Sequence, residues 1–198
     1  AHIPTLYFDS LTWFVLLKKR SLSFLWSFII TWIAQTSGKF FPTGNVTGEF
    51  VRIYLGIKKG LSPHEASSTV FADLILATFS LFIIGLFSFF LVIFKDSSLI
   101  DSNYSHYIYF SLILIFFGCI FFYFLIRRRL VKHFIRKYNS IFNVKLNKKT
   151  ILFFIKLDIS LYSLNKRKGT VLKALLFRLI GWLAGAFEIY VFLLIMDV

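Results

Sequence analysis

From Leu74 to Phe94 the chain carries no Asp, Glu, Lys or Arg, and from Tyr107 to Ile126 it carries none again. A charge-free apolar run of about 20 residues is the length of helix that crosses a bilayer. Within hydrocarbon, backbone N–H and C=O groups must find partners inside the segment, so such a run folds as a helix. The remaining composition agrees. Of 198 residues, 58% are apolar and 20% aromatic, 27 of them Phe. Soluble chains average about 45–50% apolar, so the surplus must face lipid. The expected fold is all-α: a polytopic integral membrane helical bundle, read as one transmembrane domain over 1–198. Because the chain begins at Ala1 and its last residues are still apolar, it is expected to be a fragment of a longer protein.

Charge sets the expected topology. There are 23 Lys and Arg against 9 acids, a net charge of +14. A nucleic-acid binder would spread its cations through a polar chain, and this chain is not polar. Between the two runs lies a short polar loop, 95–106, with Asp96 and Asp101. After them come Arg127, Arg128, Arg129, Lys132, Arg136, Lys137, Lys145, Lys148 and Lys149 without an acid. Cationic loops stay in the cytoplasm, so 127–149 is expected inside and 95–106 outside. The whole of 127–169 reads as a basic cytoplasmic or interfacial segment. Val131, Phe134, Ile135, Tyr138, Ile141 and Phe142 fall on one helical face of it, the pattern of an interfacial amphipathic helix. Residues 150–165 fit a helix, with Lys156, Ser160, Ser163 and Arg167 as a polar stripe, or a strand, with Lys156, Asp158 and Ser160 alternating at period two; helix is favoured, because a lone strand at a membrane has no partner for its backbone groups. The last span, expected incomplete, is 172–198.

Upstream, Lys18-Lys19-Arg20 and Lys58-Lys59 both read as cytoplasmic, so 21–57 must leave and return to one side. About 37 residues with a break at Gly38–Gly48 are too few for two full spans of about 20. A re-entrant helical hairpin fits the length better. A full span at 21–37 with a slanted return is the other reading. Residues 1–17 read as the end of an incomplete span or a short segment entering on the cytoplasmic side. Ser62-Pro63-His64-Glu65 has the form of a capping box, Ser before Pro at the first helical position and Glu two later. It opens a helix running to Phe94, long enough to tilt or to begin outside the hydrocarbon.

Ionisable residues within apolar segments cost about 2.5–3.5 kcal/mol on insertion scales, so they mark function or a required pairing. Glu49 and Arg52 stand three apart on one helix face. They form either a head-group or substrate site or a plain structural pair. The Pro42–Gly48 segment, with Gly44 and Gly48, is either an anion site built on free N–H groups or a simple turn. Asp73 lies ten residues into the long helix, as a site residue or a partner for a cation. Arg178, Gly181, Gly185 and Glu188 share a stripe. Gly181-x-x-x-Gly185 permits close helix approach and is a candidate homo-oligomer face. Glu188 near mid-span would be protonated, paired or facing water. His64, His106 and His133 are assigned no chemistry, and Cys119 is read as packing. No catalytic set, cofactor motif or metal-ligand cluster is evident, and none is expected.

The run Phe41-Pro42-Thr43-Gly44-Asn45-Val46-Thr47-Gly48-Glu49-Phe50-Val51-Arg52-Ile53-Tyr54-Leu55, then Lys59-Gly60-Leu61-Ser62-Pro63, resembles the lysylphosphatidylglycerol synthase transmembrane-region family of flippase-like membrane proteins. Glu65–Leu74 is similar to the start of that family's long helix, and its Val-x-x-Asp form is closest to the hopanoid-associated branch. The strong match covers 38–95. The resemblance implies a multi-pass protein of the bacterial inner membrane that moves a lipid between leaflets. Alternatives are the membrane half of a lipid-modifying synthase or transferase, or a non-catalytic assembly subunit. It carries over Pro42, Gly48, Glu49, Arg52 and Asp73. Anionic or head-group-modified lipids are the implied partners. The family's Glu-Arg-x-x-Asp motif is reduced here to Asp73, with no Arg beside it in sequence.

Overall fold

The computed structural model describes residues 3–17, 21–41, 45–95 and 148–196, with 109, 110, 113, 114, 116–118 and 120 between them. Their regular structure is helical throughout, without a strand. The helices are α1 (Ile3–Leu16), α2 (Phe24–Phe40), α3 (Asn45–Lys58), α4 (Pro63–Lys95), α5 (Lys148–Lys166) and α6 (Lys168–Ile195). The expected outer loop beyond Lys95, the basic stretch 127–147 with its expected amphipathic helix, and most of the span at 107–126 lie outside the described residues. So do Pro42 and Gly44.

Among the described residues two helices, over Pro63–Leu91 and Lys168–Ile195, are long and apolar enough to cross a membrane. The 33 residues of α4 extend about 50 Å at 1.5 Å each, in keeping with the length expected from sequence. Residues 150–165 are helical, as read. The junction between α5 and α6 is tight: Arg167 alone separates the helices.

α1 and α4 form the middle of the bundle. α1 packs against α2, α4 and α6, and α4 against α1, α3, α5 and α6, while α3 also packs on α2 and α5 on α6. The buried residues of α1 are Leu6, Ser10, Thr12, Trp13 and Leu16, which point in several directions and meet neighbours on each. The hydroxyls are tolerated because each has an acceptor: Ser10 Oγ donates to Leu6 O at 2.7 Å and Thr12 Oγ1 to Phe8 O at 2.9 Å. Trp13, Leu17, Leu22, Ile30, Leu61, Ala66 and Val70 form one core. Leu16, Leu76 and Ala174 form a second, against α6.

α2 and α3 form an antiparallel hairpin. Gly48 near the start of α3 abuts Ala34 and Gly38 near the end of α2. At the other end, Lys59 Nζ sits 3.3 Å from the ring centroid of Trp26. A Cβ on Gly48 would fall 2.6 Å from Ala34 O, a backbone atom, so this approach requires glycine. α3 closes with a Schellman motif. Gly60 N–H donates to Ile57 O and Leu61 N–H to Gly56 O, both at 3.0 Å. The reversal needs the φ of +100° that Gly60 adopts and that a side chain would resist. Ser23 caps α2 through Trp26 N–H, and α4 starts at Pro63 as the sequence signals.

The polarity of these helices is inverted relative to a soluble protein. On α3 the buried face is Gly48, Arg52 and Gly56, while Val46, Phe50, Tyr54 and Ile57 are exposed. On α4, Ser67, Ser68, Thr69, Asp73 and Ser80 are buried and Phe71, Leu74, Phe79, Leu81 and Phe87 are exposed. Continuous apolar exteriors of this kind are unstable in water. They are stable against acyl chains, where small and polar residues mediate helix packing.

Candidate functional site

Four of the ionisable residues singled out from sequence converge, together with others that were not. α3 carries Glu49 and Arg52 one turn apart, with Arg52 Nη1 3.3 Å from Glu49 Oε2. The same nitrogen donates to Asp73 Oδ2 on α4 at 2.7 Å. Asp73 Oδ1 lies 2.9 Å from Arg178 Nη2 on α6, close enough for an ion pair but off the direction of a hydrogen bond. Arg178 Nη1 donates to Asp9 Oδ1 on α1. Asp9 Oδ2 in turn accepts from Gln35 Nε2 on α2 at 2.8 Å. The series Glu49–Arg52–Asp73–Arg178–Asp9–Gln35 therefore draws on α1, α2, α3, α4 and α6.

Burial makes the arrangement strongly coupled. Asp73 is 1% exposed, Arg52 2% and Arg178 8%. Removing one member of such a pair leaves an uncompensated buried charge, at a cost of about 3–5 kcal/mol. The Arg52 guanidinium also lies 5.3 Å from the ring centroid of Trp13, a cation–π contact that holds the plane of the fork. Asp9, Glu49 and Asp73 oppose Arg52 and Arg178. With all ionised, this set carries one negative charge more than positive. Glu49 is the accessible end: its side chain is 24% exposed, against 3% for Arg52.

The other expected site residues are placed differently. Gly48 serves the α2–α3 contact rather than an open cradle. Gly181 and Gly185 do permit a close helix approach, and α1 of the same chain makes it. A Cβ on Gly181 would meet Phe8 Cβ at 3.1 Å, and one on Gly185 would meet Thr5 Oγ1 at 3.2 Å. The stripe expected as an oligomer face is thus covered from within. Glu188 stays outside the ion-pair series and is half-buried. His64 Nε2 is 3.2 Å from Ser62 Oγ.

Asp9, Gln35 and Trp13 were missed. The signal for Asp9 was present: it is the one ionisable residue in the apolar stretch 3–17, the same criterion that selected Asp73. It was passed over because 1–17 read as the tail of a span or a short entering segment rather than the centre of the bundle. The partner that Asp73 lacks locally comes from 21 residues upstream and 105 downstream, as Arg52 and Arg178. Among the described residues no group of His, Cys, Asp and Glu is arranged to hold a metal.

A family described as the lysylphosphatidylglycerol synthase TM region matches residues 1–198. No curated protein and no solved structure matches the chain.

Proposed function

We propose that this chain, which belongs to the lysylphosphatidylglycerol synthase TM-region family, moves a lipid head-group across the cytoplasmic membrane of a bacterium. Family and apolar helices together make it a membrane protein of lipid metabolism or transport. The observation that carries the finer reading is the ion-pair series itself. Four helices bring charges together inside a bundle whose exterior is apolar, and Glu49 leaves one end open. A structural tie between helices needs one pair. A series with a surplus carboxylate at its accessible edge suits a polar group that must leave water while its acyl chains stay in lipid.

In this reading the α2–α3 hairpin is re-entrant and its open edge admits the head-group beside Glu49. Arg52 and Asp73 form the wall it passes. The basic segment 127–149 faces the cytoplasm and draws anionic lipids to the inner leaflet, at about 1 kcal/mol per cation near the surface. The family description also favours a second reading, the membrane half of a lipid-modifying synthase, in which the same cluster would receive a product rather than transport it.

The test is leaflet-resolved exchange of labelled phospholipid in vesicles containing the full-length protein. Exchange above protein-free vesicles, lost in Glu49→Ala while the folded amount is retained, is the expected result. Exchange at the parental rate in Glu49→Ala would overturn the assignment.

A further inference from the structure

A second polar feature lies one helical turn from the ion pairs and takes no part in them. A cavity of about 360 Å³ opens between the start of α4 and the face of α5, within the roughly 300–1,000 Å³ of ligand sites. Lys156, Ser160, Ser163 and Arg167 line one wall, at i, i+4, i+7 and i+11, and His64 and Glu65 line the other. The stripe is not merely a solvated surface. It is flanked by Leu157 and Leu164, both 5% exposed, so α5 is seated on the bundle with this polar row turned along the seam with α4.

We propose that this cavity binds a phosphate group. Two cations, Lys156 and Arg167, stand against one carboxylate, Glu65, so the enclosure favours an anion. The first turn of α4 adds to this. Backbone N–H groups at a helix start have no intrahelical acceptor, and the helix end carries partial positive charge. The hydroxyls on the α4 wall are already committed: Ser68 Oγ and Thr69 Oγ1 donate to Glu65 O at 3.1 and 2.9 Å. The α5 wall therefore supplies the donors, with Arg167 giving the planar fork that matches phosphate oxygens. Lys156 and Ser163 are exposed at the mouth, and Leu16 closes part of the floor. The site also adjoins the ion pairs through one side chain. Trp13 Nε1 donates to Thr69 Oγ1 at 3.2 Å, while Arg52 lies over the face of the same indole.

A lipid and a soluble anion both present this chemistry, and competition separates the two. Binding is measured by calorimetry on the full-length protein in detergent, where no leaflets exist, so failure here and failure of the exchange reading are independent. The probes are dihexanoylphosphatidylglycerol, dihexanoylphosphatidylcholine and inorganic phosphate. The expected result is saturable phosphatidylglycerol binding, at least tenfold weaker in Lys156→Gln/Arg167→Gln. The charge-matched control Lys58→Gln/Lys59→Gln and the charge-retaining Lys156→Arg should keep it, whereas Arg167→Lys, which loses the planar fork, should weaken it. Displacement by millimolar inorganic phosphate identifies a soluble source; retention against it identifies the lipid. Equal binding of both lipids with no effect of the Lys156/Arg167 pair, or equal loss in the Lys58/Lys59 control, would overturn the site.

Discussion

Asp73 is the residue on which the buried charges hinge, because it alone touches both guanidiniums. Arg52 Nη1 is 2.7 Å from one of its oxygens and Arg178 Nη2 2.9 Å from the other. Asp73→Asn keeps the shape and removes the charge, leaving Arg52 with Glu49 and Arg178 with Asp9. We expect it to destabilise the protein by about 3 kcal/mol, read as a loss of folded yield and a lower melting temperature in detergent. Glu49 is expected to behave differently. Arg52 keeps its Asp73 partner when Glu49 is truncated, so Glu49→Ala should cost under about 1 kcal/mol, as for a partly exposed pair, while exchange is lost. Arg52→Ala should lose both. Similar melting losses in all three variants would mean that the cluster is one indivisible strut. The sequence nominated Glu49 and Arg52 as a pair on one helix face and Asp73 and Arg178 singly, since each is an ionisable residue in apolar surroundings. It could not join them, because contacts between residues 52, 73 and 178 depend on how helices pack.

At the scale of elements, two close approaches set the geometry of the site. Gly48 lets α3 lie against the backbone of α2, and Gly181 with Gly185 lets α6 lie against α1. Ala at 48 places a methyl 2.6 Å from a carbonyl oxygen that has no flexible end to swing away. The hairpin must open, and overpacking of this kind costs about 1–3 kcal/mol. Gly48→Ala is therefore expected to lower the melting temperature and to increase labelling of a Cys at Ala34. Unchanged labelling would show that the helices are not held this tightly. Gly181→Leu is expected to separate α6 from α1, and with it Arg178 from Asp9. Chemical cross-linking between cysteines at Thr5 and Gly185 should fall by at least fivefold in Gly181→Leu. The GxxxG spacing announced a close contact in the sequence, but its partner was another helix of the same chain rather than a second copy. Spacing specifies a smooth face, and which helix fills it depends on what else is within reach.

For the whole molecule, the proposed topology makes a prediction independent of transport. Cysteines at Lys19 and Lys58 should be labelled from the same side of the membrane. A cysteine at Ser102 should be labelled from the opposite one, in a background where Cys119 is replaced. Lys19 and Lys58 on opposite sides would replace the re-entrant hairpin by two full crossings. This is a global property, because inverting one helix carries every later segment with it. The charge asymmetry that drives it is spread over many Lys and Arg rather than held in any one.

What the sequence determined by itself is what local chemistry decides. Charge-free runs require helices at membrane depth, Pro63 starts α4, Gly60 ends α3, and the Pro42–Pro63 segment with its Gly-Glu and Arg identifies the family that matches the full chain. Each of these rests on residues a few positions apart. Only tertiary structure decided that α1 lies beside α4 in the middle of the bundle, that Asp9 completes the ion pairs and Gln35 hydrogen-bonds to it, that Gly181 faces α1, and that the α5 stripe borders a cavity. Apolar residues on helices in lipid face outward almost indifferently, so hydropathy does not say which helix neighbours which. That choice is made by the small and charged residues, whose short reach and strict need for partners admit few arrangements of the bundle.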